Sequence, residues 1–155
     1  MFKTVIRKKV LVVPYRMSRQ DGKLKIEYVM VQDLKTREWG FISGGVKKHE
    51  HDVVAAQREL AEETSKIITL PDLKLCKVFK YTTTYRPEEL KKIDIKRSEV
   101  VNSRYKIYMF RIDDFHNVKH DFIVNKEVID IDMREFKDFK NVWKLSQDIY
   151  NNFFK

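Results

Sequence analysis

The chain has 155 residues, 43% of them hydrophobic and 35% charged, which excludes a disordered tail protein and suits a folded unit with a real core. No apolar run reaches the length of a membrane span, Met1-Phe2-Lys3-Thr4 lacks a signal-peptide core, and the lone Cys76 cannot close an internal disulfide. A reducing, cytoplasmic setting without membrane or disulfide-linked partners is therefore expected. The net charge of +9 is uneven, residues 1–50 carrying 12 Lys/Arg against 5 Asp/Glu and residues 51–70 carrying 2 against 4. An acidic patch in a basic protein fits a polyanionic partner such as a nucleotide or an RNA end, and a plain solvated surface accounts for the charge equally well.

Without a linker, repeat or low-complexity tract, residues 1–155 read as one domain. Val5 to Tyr15 reads as a strand whose continuous Val10-Leu11-Val12-Val13 run predicts burial on both faces. Ser18 to Gly22, with its Asp21-Gly22 pair, is a turn, and Lys25 to Gln32 is a second strand with Ile26, Tyr28 and Met30 on one side. Trp39-Gly40-Phe41 leads into a glycine turn at Gly44-Gly45. A helix follows from about His51 or Asp52, with Val53, Ala56, Leu60 and Ile67 on its packing face. Leu73 to Thr84 and Tyr105 to Arg111 read as strands, the first holding Cys76 as a small apolar residue, and the charged stretch Tyr85 to Arg104 between them reads as a binding loop. Glu127 to Asp132 alternates as a further strand. Val142, Leu145, Ile149 and Phe153, widened by Trp143, Tyr150 and Phe154, form the stripe of a packing helix. Strands and helices in this order predict an α/β fold with a mixed sheet between helices.

The chemistry concentrates in Arg58-Glu59-Leu60-Ala61-Glu62-Glu63, which crowds three carboxylates and an arginine into six positions. Glu59 and Glu63 are four apart and Glu62 is three from Glu59, so like charges share a helix face at a cost of roughly 0.2–0.5 kcal/mol per pair. They also lie in the later turns, where the helix dipole disfavours anions. Such a cluster calls for a cation, and hard oxygen donors without a Cys or His cage point to magnesium or manganese. Glu59 and Glu63 border the apolar face and are the expected closest ligands, while Glu62 points further toward solvent. Arg58, four before Glu62, is placed to hold the cluster's geometry by an ion pair.

With Gly44 and Glu50 ahead of it, this stretch resembles the Nudix box, Gly-x5-Glu-x7-Arg-Glu-(apolar)-x-Glu-Glu-x-Gly-(apolar), through Gly44, Glu50, Arg58, Glu59, Leu60, Glu62 and Glu63. Ser65-Lys66 stands where the family has glycine and an apolar residue, so the helix either runs on toward Ile67 or ends differently before Pro71. The resemblance implies an α/β/α sandwich over nearly the whole chain and hydrolysis of a diphosphate linkage in a nucleoside diphosphate joined to another group. It implies a magnesium or manganese site on Glu59, Glu63 and Glu62, with Glu63 as ligand or general base. Glu127 lies on what looks like the late strand from which many members supply an extra carboxylate, although a solvated strand-end role fits it as well. Glu50 is expected to brace the turn and Arg58.

Around that site, Gly44, Lys47 and Lys48 are candidate substrate contacts, and Trp39, Tyr15, Tyr28 or Phe41 offers a surface for a nucleobase to stack on. His49 and His51 rank below these as phosphate contacts, as do His116 and His120 as a zinc pair. The favoured substrate is the 5′ cap of messenger RNA. The basic surplus, the turn lysines and the upstream aromatics favour it, and Trp39-Gly40-Phe41-Ile42-Ser43-Gly44 is similar to the segment entering the box in decapping enzymes, including viral ones. Those enzymes usually have Pro-Lys-Gly where this chain has Ile42-Ser43-Gly44. The alternative is a small-molecule hydrolase for dinucleoside polyphosphates, nucleoside triphosphates or diphosphoinositol polyphosphates. A catalytically silent RNA-binding module, supported by Ser65 alone, comes third.

Overall fold

A computed structural model describes residues 3–85 and 99–155. In chain order the elements are β1 (Lys3–Gln20), β2 (Lys23–Asp33), β3 (Trp39–Gly40), β4 (Ile42–Gly45), α1 (Asp52–Glu63), β5 (Lys77–Tyr85), β6 (Glu99–Arg111), α2 (His116–Asp121), β7 (Val128–Arg134) and α3 (Lys144–Ile149). The sheet order is β3-β2-β1-β6-β5, with β4 added to β1 and β7 to β2. β1 and β6 run parallel from Lys3↔Glu99 to Tyr15↔Arg111, whereas the other strand pairs are antiparallel. The sheet is therefore mixed.

Alternation along the strands divides the core in two. Val10 and Val12 join Val29, Val31, Tyr108 and Phe110 on the face covered by Ala55, Ala56 and Leu60 of α1. Leu11 and Val13 join Met30 and Ile107 on the opposite face, beneath Leu145 and Ile149 of α3 and the π-helical turn Tyr150–Phe154. All four residues from Val10 to Val13 are fully buried, as their unbroken apolar run predicts, and each burial is worth about 1.5–3 kcal/mol. The α/β/α sandwich is the architecture the chain adopts.

Several boundaries differ from the sequence reading. β1 extends past Val5–Tyr15 at both ends, because β6 pairs with its start and β2 with its end. Its hairpin turns at Asp21 (φ 53°) and Gly22 (φ 76°), the left-handed pair that matches strand twist. The expected strand from Leu73 begins at Lys77 instead. Leu73–Leu75 form a 3₁₀ turn whose Lys74 amide donates to the Asp72 carboxylate at 3.0 Å, and Cys76 ends that turn half-buried rather than sitting in a strand. Of the loop expected over Tyr85–Arg104, residues 86–98 lie outside the described residues. Tyr85 belongs to β5, and Glu99 to Arg104 belong to β6. Helix α1 stops at Glu63 and does not run on to Ile67, since Ser65 (φ 57°) and Lys66 (φ 65°) both turn left-handed.

Candidate active site

Strand β4 lays Gly44 and Gly45 beside β1, and α1 returns across them so that Glu59 faces Gly44. A Cβ at Gly44 would fall on the Glu59 carboxylate, so this glycine leaves the space in which the carboxylate packs against the backbone. Arg58 locks the arrangement. Its Nε and Nη2 donate to the two Glu50 oxygens at 2.9 and 3.0 Å, its Nη1 to Glu59 at 2.8 Å, and its Nη2 to the Gly45 carbonyl at 2.8 Å. Glu50 also accepts the Lys47 amide at 3.0 Å, so one carboxylate braces both the turn and the arginine. The Arg58 hydrogen bonds, helped by the Lys47 amide, hold the Glu50 carboxyl at a pKa of about 2. Donating to Glu50 pushes the Arg58 pKa up in turn.

Glu59 and Glu63 are only 7 and 8% exposed, and that burial defines the site's electrostatics. Burial raises the Glu59 pKa against the lowering effect of Arg58. Glu63 is pushed well above the usual carboxylate range, by burial first and then by the Glu59 charge, with a hydrogen bond from the Ser43 backbone amide offsetting part of the shift. Glu127 approaches from the residue before β7, and one oxygen from each of the three glutamates lies within 4.8 Å of the others. Three carboxylates converging with two of them dry is costly without a cation, and an all-oxygen donor set fits a hard divalent ion. Glu62 stands outside the trio. Its side chain is 52% exposed and lies 3.5 Å from Arg58, which is the expected four-residue ion pair.

Glu127 reaches the trio through bonds to the end of α1. The Ser65 hydroxyl donates to the Ile123 carbonyl at 2.9 Å and accepts the Ile123 amide at 3.1 Å. The Asn125 side-chain amide donates to the Glu62 carbonyl at 3.3 Å, while its oxygen accepts the Glu127 and Val128 amides, each at 2.9 Å. From the other side, the Leu34 amide donates to the Glu127 carbonyl at 2.8 Å.

Beside the trio opens a cleft of about 400 Å³, with Glu63, Glu127 and Lys126 among its lining residues and the half-buried Trp143 as its aromatic surface. Phe41 borders it, but its ring is buried against Tyr28, Phe136 and Phe154. Trp39 does not line it. That indole is 7% exposed and packs between Phe139, centroid to centroid at 5.2 Å, and the Arg134 guanidinium. Tyr28 is likewise a core residue, and Tyr15 packs against the same cluster. The aromatic missed in the sequence is Trp143, whose place in the apolar stripe of the last helix gave no sign of a cleft. Lys47 and Lys48 are exposed on the turn, outside the cleft lining, as are His49 and His51. His116 and His120 lie exposed on α2 and belong to no metal-type cluster among the described residues.

The family profile described as the NUDIX domain matches residues 6–152. No curated protein sequence matches the chain. Among solved structures, a NUDIX hydrolase from Nitrosomonas europaea superposes with a TM-score of 0.63 at 13% identity, covering 96% of this chain and 88% of that one. The E. coli dihydroneopterin triphosphate pyrophosphohydrolase gives 0.54 at 17% identity, covering 95% and 96%. A C. elegans Ap4A hydrolase binary complex gives 0.52 at 21% identity, covering 85% and 82%.

Proposed function

Because this chain belongs to the Nudix family of hydrolases, we propose that it cleaves a phosphoanhydride bond in a substrate built on a nucleoside diphosphate, with Glu59, Glu63 and Glu127 holding magnesium or manganese. The observation that carries this reading is the pair of buried, mutually repelling glutamates joined by Glu127 at the mouth of a nucleotide-sized cleft. A divalent ion bound there supplies the positive charge that offsets the diphosphate and eases loss of a proton from water. Glu63 and Glu127 are the two candidates to accept that proton. Glu63 belongs to both the trio and the cleft lining, and Glu127 is exposed with an open approach to the cleft. Glu62, outside the trio, acts by tethering Arg58 or by entering the metal site when an ion is present.

Arg58 keeps Glu59 and the Gly44-Gly45 backbone in register, and Gly44 serves by giving Glu59 its place rather than by touching substrate. Lys126 lines the cleft as a candidate phosphate contact, and Trp143 as a candidate to stack on the base, a contact worth about 1–3 kcal/mol. Trp39 supports the sheet behind them. With the trio assembled despite Ser65, a catalytically silent module loses its one support.

For the substrate, we favour the capped 5′ end of an RNA, because the protein carries +9 overall and exposes Lys47 and Lys48 on the turn that Glu50 and Arg58 brace. A dinucleoside polyphosphate is the second reading, supported by the size of the cleft and the likeness in fold to an Ap4A hydrolase. A cytoplasmic setting suits either substrate. The deciding experiment is a magnesium-supplemented panel of cap-labelled RNA, dinucleoside polyphosphates, nucleoside triphosphates and diphosphoinositol compounds, with products identified by mass. Turnover of capped RNA above the others supports the first reading. Turnover of dinucleoside polyphosphates alone replaces it with the second.

A further inference from the structure

The strands that carry the site continue past it as a face of one charge sign. Residues 4–10 of β1, 77–84 of β5 and 101–106 of β6 contain seven Lys/Arg and no Asp/Glu, and four of the seven, Lys8, Lys80, Arg104 and Lys106, share one face while Arg7, Lys9 and Lys77 lie on the other. Pairing sorts these residues into rows. Lys8 lies beside Arg104, which lies beside Thr82, and Lys106 lies beside Lys80. Paired residues project to the same side, so the two rows share one face, two residues or about 7 Å apart along the strands. Lys8, Lys80, Thr82 and Arg104 are all exposed. Among the described residues, Lys8, Lys80 and Arg104 carry no ion pair, and Lys106 has only Asp52 at 3.9 Å.

Cations set directly opposite one another weaken a sheet. Lys8 with Arg104 and Lys106 with Lys80 are two such pairs side by side, an arrangement relieved by an anionic strand laid over them. The face also adjoins the catalytic turn. The Lys8 carbonyl accepts the Val46 amide at 3.0 Å, and the exposed Lys47 and Lys48 follow directly.

We propose that this face is a binding platform for the phosphate backbone of single-stranded RNA, leading away from the turn that precedes the helix carrying Glu59 and Glu63. The platform rests on the proposed activity only in that the bound strand would be the body of a capped substrate. Two rows across three strands exceed the span of a free diphosphate, and the Thr82 and Thr84 hydroxyls add donors suited to phosphate or sugar oxygens. Ile6 and Val78, 53 and 43% exposed and of the same strand parity, offer apolar contact to unstacked bases.

The test measures binding of a short 5′-hydroxyl RNA by fluorescence anisotropy, without divalent metal, across a salt series. Such an RNA has no cap and no phosphoanhydride, so its binding is independent of whether the proposed hydrolysis is right. The double variant Lys8→Gln/Arg104→Gln is compared with Lys137→Gln/Lys144→Gln, which removes the same charge from side chains 77 and 81% exposed elsewhere. Losing two single-strand phosphate contacts should flatten the slope of log K against log salt by about 1.4. Affinity at low salt should fall about tenfold or more in the first variant and stay within about twofold of wild type in the second. Equal losses in both would reduce the effect to net charge and overturn the platform. So would wild-type protein that binds anionic lipid vesicles as tightly as RNA, with the same dependence on Lys8 and Arg104.

Discussion

Two adjacent glycines allow the placement of Glu59 to be tested with an internal control. Neither Gly44 nor Gly45 has a left-handed backbone, so alanine is conformationally acceptable at both. Gly45 has no atom within 4 Å of a new Cβ, whereas at Gly44 that Cβ would overlap all three carboxylate atoms of Glu59. Restoring ordinary contact requires the carboxylate to move by more than about 1 Å, and a misplacement of that size costs about 10²-fold in rate, or about 2.7 kcal/mol. The displaced atoms end a flexible side chain, so the fold should survive. Gly44→Ala is expected to keep its circular dichroism and to lose about 10²-fold in kcat/KM and at least tenfold in Mn²⁺ affinity by electron paramagnetic resonance. Gly45→Ala should match wild type in both. If Gly44→Ala turns over and binds Mn²⁺ like Gly45→Ala, the seat assigned to Glu59 is not part of the site.

Glu63→Gln removes a buried charge, so turnover should disappear while the metal-free protein melts at a higher temperature than wild type; a lower melting temperature would mean that Glu63 is held by partners rather than strained. The Glu63 pKa is raised in the fold, so the native state holds this proton more tightly than the unfolded chain. Metal-free stability should therefore fall as pH climbs from about 4.5 through the raised folded value, a slope that Glu63→Gln flattens and saturating Mn²⁺ reverses in thermal melts. Asn125→Ala cuts the bonds between the Glu62 carbonyl and the Glu127 segment and should weaken Mn²⁺ binding several-fold without touching a ligand; unchanged titration curves would show that the segment holds Glu127 by other means. Arg58→Lys keeps the charge but cannot reach Glu50, Glu59 and Gly45 together, so a loss of kcat of about tenfold or more is expected in steady-state assays.

Contrasts between particular residues show what could be read from the chain. The spacing of Glu59 and Glu63 is local, and a helix brings them together whatever the rest of the fold does. Glu127 joins them through the register of β7 on β2, including the irregularity at Gln32/Asp33 beside Val128, which no local pattern encodes. The strands through Val10–Val13 were legible because burial on both faces writes an unbroken apolar run. Leu73 and Leu75 mimicked a strand by alternation, yet they are 47 and 71% exposed in a turn capped by Asp72. Trp39 and Trp143 illustrate the same limit. Both are aromatics near Gly40, which a bridge between Trp39 and Val142 brings together, and only the three-dimensional packing puts Trp143 in the cleft and Trp39 in the core.

The late position of α3 and its aromatic turn bears on how the chain emerges from the ribosome. Leu11, Val13, Met30 and Ile107 are synthesised long before Leu145, Ile149 and Phe153, which cover their side of the sheet. Until α3 and its aromatic turn leave the exit tunnel, that side of the sheet exposes its apolar side chains to solvent, a surface prone to aggregation. A chain cut near residue 142 would keep every catalytic glutamate and still be expected to collect in inclusion bodies.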